Sequence, residues 1–204
     1  MLQTATVSAE LLGLLNQLMK IEDFKELRLV GGTALALQIG HRNSIDIDLF
    51  GQFGVLDEFA IRQALMPFDN AQFLHGSKSI KIYLINGIKV DFVNYPYNWL
   101  EDVIIEDGIR LASFKDIAAM KIAAITQRGS RKDFIDLYFL LKQYSLEEIF
   151  NFYETKIIDG NTWLALRSLT YFDDAEQQPM PKMFVNATWE TVKKKIKEVV
   201  SNFK

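Results

Sequence analysis

Residues Leu29 to Phe50 read LVGGTALALQIGHRNSIDIDLF, and this run limits the possible folds more than any other part of the chain. Leu27 to Val30 predicts a short apolar strand, Gly31 and Gly32 a turn, and Thr33 to Ile39 a short helix. Ile45-Asp46-Ile47-Asp48-Leu49 alternates apolar and acidic residues, which is the period of a strand. Asp46 and Asp48 should then share one face, with Ile45, Ile47 and Leu49 on the other. Two carboxylates so placed lie roughly 7 Å apart. Their mutual repulsion and desolvation make them poor occupants of an ordinary packed sheet. The competing structural reading is the wet side of an edge strand. A divalent cation removes the conflict, because Mg²⁺ (or Mn²⁺) takes carboxylate oxygens and completes its shell with water and phosphates. The Gly-Gly turn lets backbone approach a phosphate closely, and the helix start behind it offers amide donors.

A third carboxylate lies downstream. Ser79 to Ile85 and Ile88 to Asn94 are rich in β-branched residues and flank Asn86-Gly87, the signature of a two-residue hairpin turn. That register sets Ile85 opposite Ile88 and Ile82 opposite Asp91. Val90 and Phe92 point away from Asp91, so this acid is either an edge residue or part of a site. Beside Asp46 and Asp48 it reads as the third acid, able to ligate metal or to accept the proton of an attacking hydroxyl.

The remaining elements frame these strands. Ser8 should start a helix with a stripe of Leu11, Leu12, Leu14, Leu15, Leu18 and Met19. Gly51 to Gly54 reads as a turn, and Asp57 as the cap of a helix to Met66 with Phe59, Ala60 and Leu65 inward. Pro96 to Asp107 reads as a loop and Gly108 to Ala112 as a short strand. Beyond it the chain turns helical. Ser113-Phe114-Lys115-Asp116 and Ser130-Arg131-Lys132-Asp133 resemble capping boxes for helices to about Gln127 and Gln143. Further helices are predicted over Ser145 to Tyr153, Trp163 to Leu169 and Trp189 to Phe203, with Tyr171 to Asp174 in a loop. The domain boundary is therefore placed near residue 110, with a sheet-bearing part over 1–110 and a helical part over 111–204.

Lys121 lies in an Ala/Ile-rich helix and must snorkel or find an anion, which a nucleoside triphosphate would supply. Asp133 and Asp136 share a helix face. Arg128, Arg131 and Lys132, and Lys193, Lys194, Lys195 and Lys197 of the last helix, read either as solvated surface or as contacts to a nucleic-acid backbone.

Composition narrows the classes. The 204 residues suit one domain or two small ones, and 49 % hydrophobic content is ample for a core. A net charge of −3 means that any nucleic-acid contact is a local patch. The absence of cysteine excludes disulfides and thiolate metal sites. No signal peptide or membrane span is predicted, so the expectation is a soluble cytoplasmic protein. GGTALALQ lacks the Gly-Lys-Ser/Thr ending of a P-loop.

GGTALALQIGHRNSIDIDLF resembles the first motif of the abortive-infection toxin nucleotidyltransferases of the AbiEii/AbiGii type. FKDIAAMKIAAITQRGSRKDFIDLYFLL resembles their later lysine and aspartate motifs, and the likeness runs on through YFDDAE and NATWETVKKKI. The resemblance implies the DNA polymerase β-like superfamily. The implied fold class is α+β, a mixed β-sheet nucleotidyltransferase core flanked by helices and followed by a C-terminal helical domain. It implies transfer of an NMP from an NTP to an acceptor hydroxyl, with RNA or tRNA as acceptor and a cognate antitoxin as partner. Asp46, Asp48 and Asp91 would hold the metal, and Gly31, Gly32, Thr33, Ser44, Arg42, Arg128 and Lys121 the nucleotide. Lys121, Asp133 and Asp136 map onto the family's later motifs. The alternatives are transfer to a protein or a small molecule such as an aminoglycoside, and a non-catalytic nucleotide-binding module.

Overall fold

The computed structural model describes residues 1–52 and 58–203, and the chain packs as two compact units. The first comprises 1–39, 44–97 and 103–112; the second comprises 40–43, 98–102 and 113–204. The predicted Asp57 cap and much of the 51–54 turn lie outside the described residues.

The first unit carries α1 (Ala9–Leu18), β1 (Arg28–Leu29), α2 (Gly31–Ile39), β2 (Ile47–Gly51), α3 (Glu58–Ala64), β3 (Ala71–Gly76), β4 (Ile80–Ile85), β5 (Ile88–Asn94), β6 (Ile104–Glu106) and β7 (Ile109–Leu111). The described strands form one mixed seven-stranded sheet in the order β3-β4-β5-β2-β1-β7-β6. β2 runs parallel to β5 and antiparallel to β1, and β1 runs parallel to β7. The expected α+β architecture is observed.

Local chemistry explains most of these elements. The Ser8 side chain accepts the Leu11 N–H at 3.1 Å, capping α1, whose Leu11, Leu14, Leu15 and Leu18 are buried at i, i+3, i+4 and i+7. Asn86 and Gly87 both have positive φ, 52° and 80°, which a two-residue hairpin turn needs to match the strand twist. The resulting register pairs Ile85 with Ile88 and Ile82 with Asp91, as predicted. Ile47, Leu49, Val90 and Phe92 are buried on one sheet face, with the Phe92 ring against Phe24 and Tyr83. Arg110 in β7 fastens the 19–27 segment by donating to the Met19, Phe24 and Leu27 carbonyls at 2.9–3.0 Å.

Several expectations fail for physical reasons. Ile45 is outside β2 and 57 % exposed, so the acidic alternation is not strand throughout. In α3 the inward residue is Ile61, joined by Leu65 just beyond the helix, whereas Phe59 is 67 % exposed and Ala60 is also exposed; helical spacing from Leu65 selects Ile61. The segment 71–76 is an extra strand, paired with β4 through a register shift between Phe73 and His75. Residues 104–106 are strand rather than loop, returning through Asp107-Gly108 into β7.

The second unit carries α4 (Phe114–Gln127), α5 (Arg131–Leu140), α6 (Leu146–Lys156), α7 (Thr162–Ser168), α8 (Asp173–Glu176) and α9 (Trp189–Ser201). Asp173 and Asp174, the end of the expected 171–174 loop, instead open α8, and α5 stops before Gln143. Ser145 and Glu148 form a reciprocal cap at α6. In α9, Trp189, Val192 and Ile196 are buried, and the Trp189 ring lies against Phe134 and Phe172. Among the described residues no helix is long and apolar enough to cross a membrane.

An ion pair that sequence reading did not foresee ties this unit together. Lys156 Nζ donates to Asp116 Oδ1 at 2.7 Å and to the Asn98 carbonyl at 2.8 Å, and lies 4.5 Å from the Trp99 ring centroid. Asp116 also receives the Leu100 N–H and the Ser113 hydroxyl, at 2.9 and 2.7 Å. Both charged side chains are fully buried. Lys156→Met strands the Asp116 carboxylate and should lower unfolding free energy by about 3–5 kcal/mol, whereas the double variant with Asp116→Asn should recover part of the loss. Urea unfolding of both variants checks this.

Candidate active site

The acids of the first unit meet through sheet pairing. β2 and β5 align Asp48 directly opposite Asp91, between the Ile47–Val90 and Leu49–Phe92 pairs. Opposed residues on neighbouring strands point to the same sheet face. Because Ile47, Leu49, Val90 and Phe92 take the core side, Asp48 and Asp91 take the other together. Asp46 is the second residue before Asp48, one position before β2 begins, and is partly exposed.

α2 begins against this face. Gly31 has φ +68°, and a Cβ built there would stand 2.5 Å from Asp48 Oδ2. Only glycine allows the Asp48 carboxylate to approach the helix start so closely. Of the adjacent pair Gly31-Gly32, Gly31 has positive φ and Gly32 does not. Thr33 is 1 % exposed; its hydroxyl is hydrogen-bonded to the Ser44 hydroxyl at 2.8 Å and to the Asp46 carbonyl. Thr33 and Ser44 thus brace the segment that presents Asp46.

Carboxylate oxygens at this face have the chemistry that Mg²⁺ or Mn²⁺ takes, and Gly31 leaves room beside Asp48 that a side chain would fill. The side chains are not gathered as a finished cage: among the described residues no group of three or more His, Cys, Asp or Glu side chains is arranged to hold an ion. Asp91 is instead engaged by Lys89, whose Nζ lies 2.6 Å from both carboxylate oxygens. By its chemistry the carboxylate donor set suits a divalent ion.

The other candidates form a buried charge network in the second unit. Lys121 is 4 % exposed and contacts Asp133 Oδ1 at 2.9 Å and Asp136 Oδ2 at 2.6 Å. The anion that satisfies Lys121 is therefore supplied by the chain itself. Asp136 accepts two Arg42 bonds at 2.7 Å and one from His41 Nε2 at 2.8 Å. Asp133 accepts from Arg128 at 2.9 and 3.1 Å and from the Ser130 hydroxyl at 2.7 Å. Ser130 consequently makes no side-chain cap to the α5 backbone, so its expected capping box is replaced by this network.

Burial alone would raise both aspartates. For Asp136 the Arg42 and Lys121 charges overcome burial and hold the carboxyl well below its usual value. For Asp133, Lys121 and Arg128 do the same. Burial pulls Lys121 down, yet Asp136 and Asp133 prevail and raise it. Burial lowers His41 against the opposing pull of Asp136, leaving the imidazole neutral, with Nε2–H donated to Asp136. Among the described residues, Arg42, Lys121 and Arg128 converge on the two carboxylates Asp133 and Asp136.

A family model described as nucleotidyl transferase AbiEii toxin, type IV toxin–antitoxin system, matches residues 13–203. The chain belongs to the AbiEii nucleotidyltransferase toxin family. An Aquifex aeolicus (strain VF5) relative, uncharacterized protein aq_aa25, is 37 % identical over 183 residues, which is 85 % of this chain and 88 % of that one. Among solved structures, JHP933 from Helicobacter pylori superposes with a TM-score of 0.54 at 16 % identity, over 96 % of this chain and 92 % of that chain. ANT(2")-Ia in complex with adenylyl-2"-tobramycin also gives 0.54, at 12 % identity, over 71 % and 95 %. These two likenesses concern the fold alone. This AbiEii-family protein is a nucleotidyltransferase.

Sequence reading missed Lys89, His41 and Lys156. The spacing Lys89-Val90-Asp91 carried a signal, since residues two apart in a strand share a face. His41 and Lys156 find their partners far along the chain, and local spacing held no sign of them.

Gly31→Ala should cost about 1–2 kcal/mol for the left-handed backbone alone and displace Asp48. Transfer activity should fall further than thermal stability does, as parallel melting and activity measurements would show. The buried network also sets a pH response. Because the folded His41 value lies below its ordinary 6.5, stability is lost as pH falls through the region under 6.5. The depressed aspartates add a loss in the same direction as pH falls below their ordinary 3.8. Urea midpoints should decline from pH 7 to 5, and His41→Gln should flatten that part of the curve.

Proposed function

We propose that this nucleotidyltransferase transfers a nucleoside monophosphate from an NTP to an acceptor hydroxyl on RNA, with tRNA ends as the favoured class. The observation that carries this reading is Asp48 standing opposite Asp91 while lying against the Gly31 helix start. Asp46 and Asp48 would hold a divalent ion, with Asp91 completing a two-metal site. The bound Mg²⁺ or Mn²⁺ would supply charge neutralisation for the triphosphate and acidity for the attacking hydroxyl.

The chain's own groups do the rest. The first amides of α2, at Gly31, Gly32 and Thr33, have no partner within the helix and bind the triphosphate oxygens. Thr33 and Ser44 keep the Asp46 segment in position. Asp91 accepts the proton of the acceptor hydroxyl, whose oxygen attacks the α-phosphorus in line as pyrophosphate leaves. The cationic side chains Arg42, Lys121 and Arg128 are the kind of group that an anionic phosphate recruits. Arg128 is the exposed one at 67 %, and Lys121 and Arg42 act as positioning residues held by Asp133 and Asp136.

Of the basic groups considered for RNA, Arg131 is committed to the Ala175 and Glu176 carbonyls and to the Trp189 ring, and Lys193 to Glu176 and Glu190. Lys194 and Lys197 are exposed on α9 and are the better candidates for backbone contacts. Family membership supports a cognate antitoxin as the regulating partner.

Asp48→Asn should retain the fold and suppress transfer by about a hundredfold or more. Incubation with labelled NTPs against separate RNA, protein and aminoglycoside pools identifies the acceptor. Label in the protein or aminoglycoside pool alone would overturn the RNA assignment, and full transfer by Asp48→Asn would overturn the role given to the acids.

A further inference from the structure

The Asp91 carboxylate is already paired within its own strand. Lys89 sits two residues earlier in β5, on the same sheet face, with Nζ 2.6 Å from both carboxylate oxygens. An ammonium shared between both oxygens of one carboxylate occupies the bisector that a cation ligand would use. The pair is reachable from solvent, with the Lys89 side chain 41 % and the Asp91 side chain 17 % exposed. It therefore lacks the locked character of the Lys156–Asp116 pair, whose side chains are both fully buried. Lys89 also stands just before Val90, as Asp46 stands just before Ile47, and Val90 and Ile47 are opposed across the parallel pair. Lys89 thus stands level with Asp46 in the register of the pair, two residues before Asp91.

We propose that Lys89 is an internal counter-ion that holds Asp91 in the metal-free enzyme, so that a cation reaches Asp91 only by displacing it. This rests on the reading of Asp46, Asp48 and Asp91 as the metal-holding acids. Asp46 and Asp48 then form the stronger cation site, and Asp91 adds the weaker one, whose affinity is reduced by the competing ammonium. Assembly of the site is ordered, with Asp91 released last. The four-carbon stem lets the released ammonium swing away while the strand stays in place. Lys89 is accordingly a positioning residue: it acts through Asp91 and decides when that carboxylate becomes available to ion and substrate.

The test is a Mn²⁺ titration followed by electron paramagnetic resonance at fixed ionic strength. The full-length wild type is compared with Lys89→Met, Lys89→Arg, Lys81→Met, Asp91→Asn and Asp48→Asn, with melting curves showing that each is folded. Lys89→Met should tighten the weaker class of Mn²⁺ about fivefold, the worth of a partly exposed ion pair, and leave the stronger class unchanged. Lys89→Arg keeps the competing charge and should stay near wild type. Lys81→Met removes the same charge elsewhere in the sheet and should shift neither class. Asp91→Asn should abolish the weaker class. If Lys89→Met leaves the weaker class unchanged or loosens it, or if Lys81→Met tightens it equally, the counter-ion role is overturned while the metal-holding reading stands. Retention of both classes by Asp48→Asn would instead overturn the metal-holding reading itself. Should Lys89→Met melt abnormally, Lys89→Gln gives the same readout.

Discussion

The parallel pairing of β2 with β5 is the constraint on which the site depends. It places two carboxylates side by side on one sheet face while the residues flanking each are buried in the core. A shift by one residue would turn either acid inward among apolar side chains, where an unpaired charge is costly. Burial of Ile47, Leu49, Val90 and Phe92 therefore fixes the register, and the register fixes the pairing of the acids. The energy that aligns the site comes from apolar burial on the far face.

A second consequence follows at the helix start. Asp48 can lie against α2 because Gly31 has neither a side chain nor a penalty at positive φ. Thr33, two residues on, spends its hydroxyl on Ser44 and the Asp46 carbonyl rather than on solvent. One short run of sequence thus makes the bend, the helix and the brace for the acidic segment. The helical unit solves its own problem differently. It buries Lys121, Asp133, Asp136 and Arg42 together, so that each charge is met by opposite charge and hydrogen bonds. Such a network adds little net stability compared with an apolar core, yet removing one member leaves an unpaired buried charge. That asymmetry makes its geometry hard to alter piecemeal.

Much of this was readable from local pattern. Ser8, Ser113 and Ser145 marked helix starts because their side chains satisfy first-turn amides within three residues. Asn86-Gly87 set the hairpin register because both residues tolerate positive φ. Ser130 likewise precedes its helix, yet its hydroxyl goes to Asp133 within the charge network, and in α3 the helix phase turns Phe59 outward. Strands β3 and β6 were missed because each is stabilised by its neighbour more than by its own residues.

From its sequence alone this chain determined the acids, the glycine bend, the alternation that turns Asp91 away from Val90 and Phe92, and the family to which these motifs belong. Those features act over a few residues, where backbone sterics and side-chain period suffice. Only the tertiary structure decided that β5 lies beside β2, that Lys121 is answered by Asp133 and Asp136, and that the Lys89 ammonium meets the Asp91 carboxylate. Asp48 and Asp91 belong to strands well separated in sequence. Which strands meet is settled by the burial each pairing achieves, a property of the whole packed unit and of no single segment.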